Sequence, residues 1–130
     1  MLNPKQFEVN EAWIAFRVNR VPIRTEQDGD LNCIALMDAA SCFILGMELV
    51  PATAAEPTRL EVRRLFKSAK NHKQQFPKTL FVSRGEVADQ LTREATKEHI
   101  DVVCVPENEL LIFTREARDG FAEHFGETSQ

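Results

Sequence analysis

The side chains from which chemistry could be built fall into three groups: a run of cations, a few isolated carboxylates and scattered thiols and imidazoles. The cations are the densest group. Arg59, Arg63, Lys67 and Lys70 recur at intervals of three or four residues, so on a helix they share one face and could follow the phosphates of a nucleic acid. The competing reading is a solvated outer face that complements an acidic surface on another subunit. The formal net charge of −4 opposes broad nucleic-acid affinity, but it is unevenly spread. Residues 59–84 hold eight Lys/Arg against Glu61 alone, while both flanks are acidic.

A second candidate is Ser83-Arg84, which opens a predicted helix, where free amides and a cation can together hold an anion. Ser83 serves equally well as a helix cap, and Glu86 in the same turn opposes an anion. Asp38 ends an apolar stretch just before a turn. It could ligate a metal, but a turn aspartate more often accepts the turn amides. His72, His99 and His124 have no Ser, Cys or Asp motif beside them, so neither a triad nor a metal trio is expected. Cys33, Cys42 and Cys104 form no Cys-x-x-Cys and have no neighbouring His, which argues against zinc. Their apolar surroundings predict reduced, buried thiols. No metal or cofactor is expected.

The elements that would position these residues follow from periodicity. Residues 11–18 are rich in aromatic and β-branched side chains and predict a strand. Pro22 cannot occupy a paired central position, and Gln27-Asp28-Gly29-Asp30 signals a turn. Residues 32–38 and 42–50 predict two strands, and the short link Ala39-Ala40-Ser41 makes them antiparallel neighbours. Thr58-x-x-Glu61 is a capping box, followed by Val62, Leu65, Phe66 and Ala69 at helical spacing, which predicts a helix over 59–74. Thr79–Val82 predicts a fourth strand. Ser83-x-x-Glu86 repeats the capping pattern ahead of Val87, Leu91 and Ala95. Val102–Val105 predicts a fifth strand covered on both faces. Thr114 can cap a last helix carrying Ala117, Phe121 and Phe125 on one face, with Gly126 ending it.

The order β-β-β-α-β-α-β-α predicts an α/β fold with a mixed five-stranded sheet. A chain of 130 residues suits a single domain, with its core over about 11–126. No apolar run is long enough to cross a bilayer, and the first residues do not resemble a secretory signal, so a cytoplasmic location is expected.

This element order resembles that of the ribonuclease H-like superfamily, which includes retroviral integrases and the nuclease cores of many transposases. The closest local likeness is Ile34-Ala-Leu-Met-Asp38-Ala-Ala-Ser41-Cys-Phe-Ile-Leu45-Gly46, which resembles the hairpin between the second and third strands of integrase cores. The resemblance implies a strand order of 3-2-1-4-5. It also implies a metal-binding acid on the first strand, one at the end of the fourth, and one near the last helix. This chain has no acid from Ala12 to Asn19, and has Ser83-Arg84-Gly85 where an Asp-x-Gly is expected; only Glu116 or Asp119 could supply the third. Two divalent cations need clustered oxygen ligands, so the resemblance implies a degenerate copy without the chemistry.

In such a sheet, ligands lie outside the carboxyl ends of the strands where connections change direction. The implied strand order puts that point between the first and fourth strands, near Asn19, Ser83, Arg84, Glu107 and Glu116. The third strand would lie at an edge, where a homodimer is one way to cover it; residues 1–10 or the 51–57 loop are another. The resulting expectation is a non-catalytic interaction or regulatory module with a protein partner, a second copy bound through strand 43–50 being one candidate, and with no membrane contact. The alternatives are a nucleic-acid-binding protein using the helix 59–74, or a metal-dependent nuclease using Asp38, Glu48 and Glu116.

Overall fold

Apolar residues on both faces mark the strand that must lie at the centre of a sheet, and Ala12–Arg17 is buried at every position up to its last residue. The computed structural model describes residues 2–84 and 89–125. Its elements, in chain order, are β1 (Ala12–Arg17), β2 (Ile23–Arg24), β3 (Asp30–Asp38), β4 (Ile44–Pro51), α1 (Arg59–Lys73), β5 (Thr79–Ser83), α2 (Asp89–Lys97), β6 (Asp101–Val105) and α3 (Glu107–Phe125), preceded by a 3-10 turn at Pro4–Gln6. β1 is antiparallel to β3 on one side and parallel to β5 on the other. β6 extends the sheet beyond β5 in parallel, and β4 pairs antiparallel with β3.

The sheet therefore has one strand more than the five expected. β4 follows one edge of β3 from Leu31 to Met37, so β1 and the two-residue β2 share its other edge. Pro22 lies between them, where its missing N–H would break the ladder. Opposite that gap the Asn19 side chain replaces the backbone. Its Nδ2 donates to the Val21 carbonyl and to Asn32 Oδ1, both at 2.9 Å, and its Oδ1 accepts from the Cys33 amide at 2.7 Å.

Two cores form, one on each face. On one side α1 and α2 bring Val62, Leu65, Phe66 and Leu91 onto Trp13, Leu36 and Leu80. The capping box of α1 is present in both directions, Thr58 with Glu61. α1 sits so close to β4 that a Cβ on Gly46 would meet the Leu65 carbonyl oxygen and Ser68 at 3.3 Å. On the other side α3 brings Leu110 and Phe113 onto Ile14, Phe16, Met37 and Phe81. Phe7 closes that core, with ring centroids 5.6 Å from Phe81 and 6.2 Å from Phe113.

Three local expectations are corrected. The last helix starts at Glu107, not after Thr114. Thr114 lies inside the helix, fully buried, and its hydroxyl donates back to the Leu110 carbonyl at 3.2 Å; four consecutive apolar residues, Leu110–Phe113, had hidden the helical period. β6 is an edge strand with Val103 and Cys104 exposed, rather than covered on both faces. The thiols consequently differ: Cys33 is buried, Cys42 half-buried and Cys104 exposed. The expected cap partner Glu86, the stripe residue Val87 and the stop at Gly126 lie outside the described residues, as does the Phe125 side chain. No described helix is long and apolar enough to cross a membrane.

Candidate functional site

Because β1, β5 and β6 are mutually parallel, their carboxyl ends meet at one end of the sheet. A cleft of about 520 Å³ opens there, where β1 gives way to β2 and β5 to the α2 connection. Asn19, Ser83, Arg84 and Glu107, four of the five residues expected at this point, line it together. Glu116, the fifth, does not. It lies farther along α3, in a shallow groove with Ile112 and Arg115, and its charge reaches Cys42 instead.

Three lining residues were not anticipated: Arg17, Arg20 and Arg118. Arg118 is the best fixed. Its guanidinium lies 5.5 Å from the centroid of the Phe16 ring, its Nε donates to the Arg17 carbonyl at 3.0 Å, and its Nη1 donates to Glu107 Oε1 at 2.9 Å. The side chain is only 13% exposed. Eleven residues make about three helical turns, which is why Glu107 and Arg118 fall on one face of α3. That face also carries Leu110, Phe113, Thr114 and Ala122, all buried. A charged residue within an apolar helix stripe was the available signal, and it was legible only once the helix was started at Glu107.

Burial raises the Glu107 pKa, but hydrogen bonds from Arg118 and Ser83 and the charges of Arg118 and Arg17 outweigh it. The carboxyl is held below its ordinary range. Among the described lining residues four arginines thus accompany one carboxylate, Glu107, with Asp119 paired to Arg20 at the rim. Asn19 is committed to the backbone gap described above.

The remaining candidates do not converge. Trp13 pairs with Asp38 and Arg17 with Ile34, so Asp38 lies at the opposite end of the sheet from the cleft. Fully buried, it accepts from the amides of Asn10 at 2.6 Å and Ser41 at 2.9 Å, and from the Ser41 hydroxyl at 2.7 Å. Glu48 is bound to Arg64 of α1. Among the described residues, no group of three or more His, Cys, Asp or Glu could hold a metal ion. On the basic helix, Arg63 pairs with Glu94 at 3.6 Å and Lys70 lies over the Phe76 ring, while Arg59 and Lys67 are exposed.

No family model matches the chain, and no curated protein does. Solved structures do. The HTLV-2 integrase catalytic core domain in complex with magnesium, in a dimeric form, aligns with a TM-score of 0.54 at 11% identity over 89% of this chain and 69% of that one. A trimeric form aligns with a TM-score of 0.55 at 10% identity, over 88% and 68%. The simian T-cell lymphotropic virus intasome in complex with PP2A regulatory subunit B56 gamma aligns at 0.54 and 10% identity, covering 93% of this chain but 43% of that one. The fold is ribonuclease H-like. The expected strand order holds, with β2 as an added extension beside β1. The cleft residues do not fit the divalent cations that this fold implies. Hard cations need several anionic oxygens, whereas here Phe16, Ser83 and a pinned guanidinium occupy the carboxyl ends of the central strands.

Proposed function

We propose that this chain is a non-catalytic interaction or regulatory module built on a ribonuclease H-like fold. One observation carries the reading: the Arg118 guanidinium is pinned at the sheet mouth by Phe16, the Arg17 carbonyl and Glu107. A fixed cation there repels a metal pair, and it engages the one carboxylate among the described lining residues. The test is incubation with labelled DNA and RNA in magnesium or manganese. The expected result is no cleavage above that of an Asp38→Ala control. Cleavage that Glu107→Gln abolishes would overturn the reading.

The partner we propose is a second copy of the chain, docked along β4. This strand pairs only with β3 among the described strands, and it leaves Met47 and Leu49 about half exposed, with Phe43 just before it. Neither the described N-terminal segment nor the 51–57 loop buries these side chains. Edges of this kind tend to pair, and the integrase cores of similar fold are described in dimeric and trimeric forms. Sedimentation equilibrium should give a dimer that Leu49→Lys dissociates; a monomer at all concentrations would remove the proposal.

Nucleic-acid binding by the basic helix is a second reading, favoured by one observation. Arg59 and Arg63 of α1 line a groove of about 320 Å³ with Arg93 and Lys97 of α2. Binding there should weaken steeply with salt, by about 0.9 log units of affinity per log unit of salt for each phosphate contacted on duplex DNA.

A further inference from the structure

We infer that β4 recognises the β4 of a second copy in an antiparallel pair whose two-fold axis passes beside Glu48, and that Arg64 selects this partner by bonding Glu48 across the seam. The inference rests on the reading of β4 as the docking edge. It adds the partner strand, its register and the side chain that chooses it.

Which main-chain groups face outward follows from alternation. In an antiparallel ladder every second residue turns its N–H and C=O toward a given neighbour. The Val18 amide donates to the Cys33 carbonyl at 2.9 Å, so the odd-numbered residues of β3 serve β1. The even-numbered ones serve β4, in step with the bond from the Ala52 amide to the Asp30 carbonyl at 2.8 Å. Ile34 faces Glu48 and Ala35 faces Met47, so Glu48 bonds inward while Met47 and Leu49 turn their main chain to the open edge. Their side chains lie on the α3 side, beside Ala35 and Cys33, and they are the two that remain half exposed. Arg64 and Ser68, the α1 residues that flank β4, are exposed as well, so the helix does not close the edge.

The ends of the strand leave one register. Pro51 has no N–H to donate, and its carbonyl already accepts from the Ala54 amide at 3.1 Å. An axis beside Leu49 would set Met47 against that proline. An axis beside Met47 would set Leu49 against Leu45, which follows the bulge and turns its side chain into the α1-side core. An axis beside Glu48 pairs Met47 with the second copy's Leu49 twice. Four main-chain hydrogen bonds then form, and all four half-exposed side chains meet on one face, as cross-strand apolar pairs do.

That register sets two Glu48 side chains opposite each other, which like charge alone would oppose. Each brings its own cation. Arg64 donates through Nε at 3.0 Å and through Nη2, both to Glu48 Oε2. Oε1 and Nη1 are left over, an acceptor and a donor that the two-fold makes complementary between copies. An unrelated strand laid along this edge would carry no such pair.

The experiment uses the full chain with Cys104→Ser, which removes the exposed thiol. Single cysteines are placed at positions 47, 48 and 49, and disulfide formation under mild oxidation is followed beside sedimentation equilibrium. Facing residues in a non-hydrogen-bonded pair have Cα atoms about 4.5 Å apart, within the reach of a disulfide, whereas diagonal ones lie about 7–8 Å apart. Glu48→Cys should therefore cross-link, and Met47→Cys and Leu49→Cys should lag well behind. Arg64→Gln should weaken the dimer about tenfold by leaving two carboxylates face to face, and Glu48→Gln added to it should recover most of that loss. Faster cross-linking at 47 or 49, an Arg64→Gln dimer as tight as the parent, or no recovery in the double variant would overturn the inference while leaving docking along β4 in place. A dimer that cross-links at none of the three positions, or a parent chain that stays monomeric, would instead defeat the docking reading itself.

Discussion

Each end of the sheet carries a polar cluster containing a carboxylate, and the two are built on opposite terms. At one end Asp38 is fully buried and accepts from two backbone amides and one hydroxyl, all within residues 10–41. At the other, Glu107 faces arginines drawn from β1 and α3, and Arg118 reaches back to a carbonyl 101 residues away in sequence. A carboxylate satisfied by local amides locks a turn and offers nothing outward. One held by an arginine from its own helix ties that helix to the sheet and still borders a cleft. Asp38 is therefore closed to solvent, whereas Glu107 stays part of an open cleft.

The largest expected effect of breaking this contrast is at the mouth. Arg118→Ala leaves the Arg17 carbonyl without its partner, reduces Glu107 to its bond with Ser83 and removes the cover of Phe16, so unfolding in urea should show a loss of about 2–3 kcal/mol. A loss below about 0.5 kcal/mol would show that the mouth is not held by this residue. At the other end, Asp38→Ala strands two amides and a hydroxyl and should cost about 1–3 kcal/mol, while leaving the NMR signals of the Arg118 side chain unchanged. Coupling between these two variants would erase the distinction between the ends.

Acid stability sharpens the comparison. The folded Glu107 carboxyl lies below its unfolded value, so its contribution is fully present above the unfolded pKa and is lost as pH falls through the folded one. Urea titrations across the acidic range should show that slope in the wild type and a smaller one in Glu107→Gln. The smallest effect concerns the thiols. Burial, aided by the charge of Glu48, raises the Cys33 pKa from 9.0 to about 11, whereas Cys104 is exposed on β6. Maleimide at neutral pH should therefore label Cys104 first and leave Cys33 until unfolding. Equal rates would mean that the β3 ladder opens as readily as the sheet edge.

The same division runs through what was legible before the structure. The α1 helix, its capping box, the β3–β4 hairpin and the parallel placement of β5 and β6 could be read from patterns of two to eight residues. Those signals are local: side-chain periodicity, a hydroxyl three residues before a carboxylate, and a link too short for a crossover. The resemblance to integrase cores rested on one such hairpin together with element order, and it led to the correct fold. It also located the cleft, because parallel strand ends meet wherever that topology is formed.

Sequence by itself thus determined the order of the main elements and the shortage of acids on the central strands. Tertiary structure decided which charges fill their place. Where α3 begins sets the rotation of its faces, and that rotation brings Arg118 over Phe16 while turning Glu116 away toward Cys42. It also decided that Asn19 bridges a broken ladder, and that β6 is an open edge. The physical reason is range: local preferences act over a turn or a strand pair, whereas a charged cluster depends on how helices and sheet pack across a hundred residues.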